Sequence, residues 1–113
     1  MSCIFCRIAA GELPATKRYE DAEVLAFEDN NPVAPTHILV IPRKHLRAVS
    51  AAGPEDAAVL GGLLLVCREV AEQAGIAADG FRVVINDGLN GGQAVDHLHA
   101  HVLGGWKLAW PPG

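Results

Sequence analysis

Between residues 95 and 106 the chain reads VDHLHAHVLGGW, with histidines at positions 97, 99 and 101. Only five histidines occur in the protein, so three within five residues ask for a chemical reason. Imidazole is the side chain best suited to act as base, nucleophile or metal ligand near neutral pH. On a strand, side chains alternate faces, so His97, His99 and His101 share one face at a spacing of ~7 Å. Leu98, Ala100, Val102 and Leu103 are assigned to the opposite, core-forming face. All three imidazoles converging on one metal at ~2.1 Å is awkward from a single strand. A purely structural row would have to find a partner for every ring nitrogen. The remaining reading gives one imidazole the nucleophile or general-base role, with a neighbour stabilising developing charge.

Just upstream lies GLNGGQ, residues 88–93. Glycines let backbone N–H groups approach an anion closely, which favours phosphate chemistry over a bare histidine row. Cys3 and Cys6 form a Cys-x-x-Cys, half of a tetrahedral metal site. A redox reading of that pair lacks the strand that normally precedes such a motif. Two free, partly buried thiols are the plain alternative. Cys67 falls on an apolar helical stripe and reads as a small buried hydrophobe.

The elements that must hold these groups are legible from periodicity. Glu23–Phe27 and Thr36–Ile41 are strand-like runs separated by Asp29, Asn30, Asn31 and Pro32, as in an antiparallel pair. A helix opens at Pro54, with Glu55 and Asp56 at its positive end, and closes at Gly75. Val59, Leu60, Leu63, Val66, Cys67, Val70 and Ala74 recur on its apolar stripe. Phe81–Asp87 and residues 97–103 are further strands. One long helix with mostly antiparallel strands makes an α+β fold.

The chain has 113 residues, half of them apolar, and a formal net charge of −4. That length suits one domain over 1–113, able to hold a core without disulfide staples. The acidic balance argues against nucleic-acid polymers as ligands. No apolar run approaches the ~20 residues of a membrane span, and the first residues lack signal-peptide character. Three cysteines without a secretory signal fit a reducing compartment, so a cytoplasmic protein is expected.

The segments LAFEDNNPVAPTHILVIPRKH, VVINDG, GGQAVDHLHAHVLGG and WPPG together resemble the histidine triad family. HLHAHVL fits its pattern of alternating histidine and apolar residues, and the likeness is closest to the Hint branch of nucleotide-binding proteins. The resemblance implies a five-stranded antiparallel sheet with one long helix and a short N-terminal helix. It implies that His99 attacks the α-phosphorus of a purine nucleoside monophosphate ester or amide, forming a nucleotidyl-histidine that water releases. His101 would stabilise the phosphoryl oxygens. Asp29 would bind the ribose hydroxyls, although an Asx turn in EDNNP explains the same residue. Asn86 and the backbone of Gly91, Gly92 and Gln93 would meet the phosphate. Ile4, Phe5, Ile8 and Phe27 match positions that sandwich the purine, although core packing is their commoner fate.

By the same likeness, Cys3, Cys6, His45 and His97 would complete a structural zinc site, and His97 would then be scaffold. The resemblance also implies a homodimer built through the long helix and a strand edge. Trp110 of the tail would border the partner's leaving group. Three positions depart from the pattern: Ala94 stands where relatives often carry serine, Asp96 replaces a common aromatic, and Trp106 replaces arginine. The implied activity is a purine nucleoside phosphoramidase acting on AMP or GMP conjugates. Its rivals are a dinucleoside polyphosphate hydrolase, a nucleotide-binding scaffold with incidental hydrolysis, and a zinc-centred structural module. His37 reads as an ordinary strand histidine.

Overall fold

A short apolar turn after Cys3 forms the first element, and the long helix and four of the five strands answer to the runs and periodicities above. The computed structural model describes residues 3–113. Helix α1 spans Ile4–Ala9, strands β1, β2 and β3 span Lys17–Glu20, Val24–Glu28 and Thr36–Pro42, and helix α2 spans Ala57–Gln73. Strands β4 (Phe81–Ile85) and β5 (Ala100–Gly104) follow. The five strands make one sheet in the order β1-β2-β3-β5-β4, antiparallel at every pairing. The α+β architecture with one long and one short helix is therefore the one expected.

Sequence-read boundaries shift for identifiable reasons. Pro54–Asp56 forms a 3-10 turn ahead of α2, where the Asp56 carboxylate accepts from the Gly53 N–H at 3.0 Å. Asp56 is buried and also meets Lys44 Nζ at 2.7 Å, which locks the helix start to the segment after β3. Strand β4 ends at Ile85, two residues short of expectation, because Asn86 turns to donate to Gly91 O of the following loop while the Asp87 carboxylate accepts from the Ser50 N–H. Strand β5 begins at Ala100, so His97 and His99 lie in the bent segment that leads into it. Strand β1 is short and carries no strong alternation, and no run of the sequence marked it.

The sheet has two differently covered faces. Val24, Ala26, Ile38, Val40, Ala100 and Val102 pack against Leu63, Val66, Cys67, Val70 and Ala71 of α2. On the other face Leu25, Phe27, Leu39 and Ile41 pack against Phe5 and Ile8 of α1. Period-two alternation in β2 and β3 divides the two sets, since each of those strands is buried on both sides. Leu103 does not join the α2 core as expected. Alternation from His101 places it on the opposite side of β5 from Ala100 and Val102, and it is only partly buried.

Leu63 is 1% exposed at the centre of the α2 face. Leu63→Ala is expected to cost about 2–5 kcal/mol through lost burial and a residual cavity, read as a lower urea midpoint at unchanged slope.

Candidate active site and metal centre

The histidine-bearing segment is set by the sheet. Within β5, His101 lies between Leu39 of β3 and Val84 of β4. Two residues earlier His99 is buried, its ring 5.0 Å from that of His101 between centroids. Phe5 of α1 packs edge-on to the His99 ring at 5.1 Å. The Nδ1 of His99 lies 2.7 Å from the carbonyl oxygen of His97. A carbonyl only accepts, so Nδ1 carries the proton and neutral His99 keeps its lone pair on Nε2. The segment holding that carbonyl is itself pinned, because Leu98 N–H donates to Leu46 O at 2.6 Å.

His97 is fully buried, and its ring packs edge-on to Phe5 of the N-terminal helix at 5.9 Å. Its Nε2–H donates to the carbonyl of Pro42 at 2.8 Å, which leaves a lone pair on Nδ1. Three groups crowd that one nitrogen: Cys3 Sγ at 3.3 Å, Cys6 Sγ at 3.6 Å and His45 Nδ1 at 3.2 Å. Cys6 Sγ also lies 3.3 Å from His45 Nδ1. A single lone pair cannot satisfy three donors, whereas four converging donor atoms suit a metal ion. The donor atoms of Cys3, Cys6, His45 and His97 all lie within 4.8 Å of one another. Cys3 additionally caps α1, its sulfur accepting from the Cys6 N–H at 3.4 Å.

The glycine loop is built by its own hydrogen bonds. Gly92 N–H donates to Leu89 O and Gln93 N–H to Gly88 O, both at 3.1 Å. The Gln93 side chain is also fully engaged: its oxygen accepts from Gly88 N–H, and its amide nitrogen donates to Arg47 O and Val95 O. Asn86 Nδ2 donates to Gly91 O at 2.7 Å. Gly91 is needed because a Cβ there would collide with the Asp87 backbone, and Gly92 because its φ is +76°. Turn closure thus consumes two of the amides expected to face an anion. Among the described residues, the Ala94 N–H is the next amide along the chain and has no protein partner.

This chain matches the HIT domain family over residues 10–108. The chain belongs to the HIT family. It is 56% identical over 110 residues to an uncharacterized HIT-like protein of Synechocystis, covering 97% of this chain and 96% of that protein. A 14 kDa zinc-binding protein of Zea mays is 51% identical over 112 residues, covering 97% and 87%. Among solved structures, a HIT family hydrolase from Legionella pneumophila superposes with a TM-score of 0.96 at 44% identity, covering 98% of this chain and 99% of that one.

Within this HIT domain the other expected site residues lie as follows. Phe5, Ile8 and Phe27 are together in the apolar cluster beneath α1, while Ile4 is half-exposed on its outer side. Asp29 forms the Asx turn, its Oδ1 accepting from the Asn31 N–H at 2.7 Å, and its Oδ2 lies 3.4 Å from His37 Nε2. Trp110 is largely exposed, on a tail held where Arg82 donates to the Ala109 carbonyl at 2.7 Å. Ala94 and Asp96 are exposed, as is Trp106. Cys67 is buried, and burial pushes its thiol up to about 11, as suits an inert core residue.

One residue of the site escaped the sequence reading. His37 Nε2 lies 2.8 Å from His101 Nδ1, a contact between residues 64 apart. The pair sits diagonally across β3 and β5, because His37 is opposite Leu103 and His101 opposite Leu39. No local spacing signals such a pair; only the strand register does.

Burial pushes the His101 imidazole down to about 4, helped by the neighbouring rings of His99 and His37 and opposed by Asp29. Burial likewise lowers His37, with Asp29 again opposing. As pH falls from 6.5 toward 4, the unfolded chain binds protons at these positions that the folded protein refuses. Stability is therefore fully present above pH 6.5 and is lost on acidification toward pH 4, by on the order of 3 kcal/mol for His101 alone. Urea midpoints measured between pH 7 and pH 4 are expected to fall, with a visibly shallower fall in His101→Asn.

Proposed function

We propose that this HIT protein hydrolyses purine nucleoside monophosphoramidates through a nucleotidyl intermediate on His99, as a member of the Hint branch. The observation that carries the reading is the His99 Nδ1–H bond to the His97 carbonyl, which leaves Nε2 as the free nucleophilic nitrogen. His101 stands beside it as a donor for the phosphoryl oxygens, which gain charge in the transition state. The Ala94 N–H and the second N–H of the Asn86 amide lie on the adjoining loop and add further donors. The relationship to a protein named a HIT family hydrolase agrees with this chemistry.

Attack by Nε2 forms a phosphorus–nitrogen bond to His99 as the bond to the leaving amine breaks. Water then cleaves the His99 adduct and releases the nucleoside monophosphate. The purine rests on the apolar wall of Phe5, Ile8 and Phe27, with Ile4 at its rim. Asp29 offers its second oxygen to the ribose hydroxyls, since the first is held by the Asx turn and the second has only the longer 3.4 Å contact to His37 Nε2. Ala94 supplies no hydroxyl beside the leaving group, so leaving-group departure here relies on backbone donors.

The protein works as a homodimer in this reading. Strand β4 leaves one edge of the sheet open, and Leu64 and Leu65 of α2 are exposed, as is Ile85. A two-fold pairing would cover that edge and bring the partner's tail, with Trp110, toward the site.

Zinc is the metal that suits Cys3, Cys6, His45 and His97. A tetrahedron with Zn–N of ~2.1 Å and Zn–S of ~2.3 Å has edges of roughly 3.3–3.8 Å. Four of the six donor separations, at 3.2–3.6 Å, lie close to those edges, and all six are within 4.8 Å. The zinc-binding name of the Zea mays relative is consistent with it. With four protein ligands the ion would be structural and would leave no open position for water.

Turnover of an adenosine phosphoramidate, with diadenosine tetraphosphate alongside, tests the activity. Wild type is expected to prefer the P–N substrate, and His99→Ala to lose activity by roughly a thousandfold or more while still binding AMP. Preference for the tetraphosphate would move the protein to the sister chemistry. Tight AMP binding without turnover would leave only a nucleotide-binding module. For the metal, elemental analysis is expected to find about one zinc per chain. Cys6→Ser is expected to lose it together with several degrees of Tm.

A further inference from the structure

His37 is buried, and its role follows from which nitrogen can carry its proton. The Val33 N–H donates to His37 Nδ1 at 3.1 Å, so that nitrogen holds a lone pair. Neutral His37 must therefore carry its proton on Nε2. Two atoms face that N–H: His101 Nδ1 at 2.8 Å and Asp29 Oδ2 at 3.4 Å, and both are acceptors. The shorter contact goes to His101. A His101 nitrogen that accepts cannot also hold the proton, so in neutral His101 the proton is on Nε2. The reverse arrangement fails, because a proton on His37 Nδ1 would point at the Val33 N–H.

We propose that His37 is a positioning residue that locks His101 in its Nε2–H tautomer, so that His101 offers a neutral N–H to the phosphoryl group. The role as phosphoryl donor rests on the activity proposed above; the tautomer lock does not. In the other tautomer His101 would turn a lone pair toward an anionic phosphate, which repels it. The lock also separates the two catalytic rings by function. His99 is set by a carbonyl so that its outward nitrogen is a lone pair, and His101 is set by His37 so that its outward nitrogen is a donor. Burial that holds both His37 and His101 below the usual imidazole range keeps the chain of neutral rings intact near pH 7.

Long-range 1H–15N spectra of the imidazole nitrogens read the tautomer directly, with and without nucleotide. The expected wild-type pattern has His101 protonated on Nε2 alone. A wild-type pattern with the proton on Nδ1 would overturn the proposal with no variant needed. His37→Leu removes the donor, and its His101 signals are expected to move toward a mixture of tautomers. His37→Gln keeps an N–H donor and is expected to restore the wild-type pattern. On the phosphoramidate, His37→Leu should lower kcat by roughly 10- to 100-fold with KM little changed, and His37→Gln should recover most of it. An unchanged His101 tautomer in His37→Leu would overturn the lock, whether or not activity fell. Absence of phosphoramidate turnover in wild type would instead count against the proposed function alone, with the spectra still deciding the lock.

Discussion

The arrangement depends on one fully buried imidazole. His97 gives its Nε2–H to the Pro42 carbonyl at the end of β3, and that bond decides what its other atoms can do. Its Nδ1 becomes a lone pair facing Cys3, Cys6 and His45, which ties the N-terminal helix to the segment before β5. Its own carbonyl then orients His99. A donor set able to hold a metal ion on one side and the buried ring of His99 on the other thus meet at a single residue. An unpaired polar group at such a depth would cost on the order of a few kcal/mol, so each of these partners matters.

The sheet separates stability from chemistry by its two faces. The α2 face is apolar throughout and carries the larger cluster, including the inert Cys67. The α1 face is thinner, and there Phe5 touches both the apolar wall and the ring of His99. Polar groups gather on the thinner face, which is covered by one short helix only. Strand β5 serves both faces by alternation, with Ala100 and Val102 toward α2 and His101 on the other side.

Much of this is legible in the sequence. The apolar stripe of α2, the apolar runs of β2 and β3 bounded by turn formers, and the alternation of β5 are strong signals that locate those elements to within a few residues. Strand β1 gave little signal, because a short edge strand has only one neighbour to bury against. The loop was recognisable by its glycines, but which amides it leaves free was not. That depends on turn closure at Gly92 and Gln93 and on the Gln93 side chain reaching Arg47, 46 residues away in sequence. Nothing in the structure explains Asp96 or Trp106.

Residue type and spacing alone marked the histidine row, the Cys3–Cys6 half-site and the glycine loop as groups able to do chemistry on an α+β fold; that the cysteines join His45 and His97 came from the family resemblance. These features are local, and local periodicity is what a linear sequence carries. The tertiary structure decided which nitrogen of each imidazole holds its proton and therefore what each ring can do. His97, His99 and His101 are chemically identical along the chain. They differ only because Pro42, the His97 carbonyl and His37 are brought to them by strand register and by the bend before β5. A tautomer is set by the partner across space, and no spacing within the motif encodes that partner.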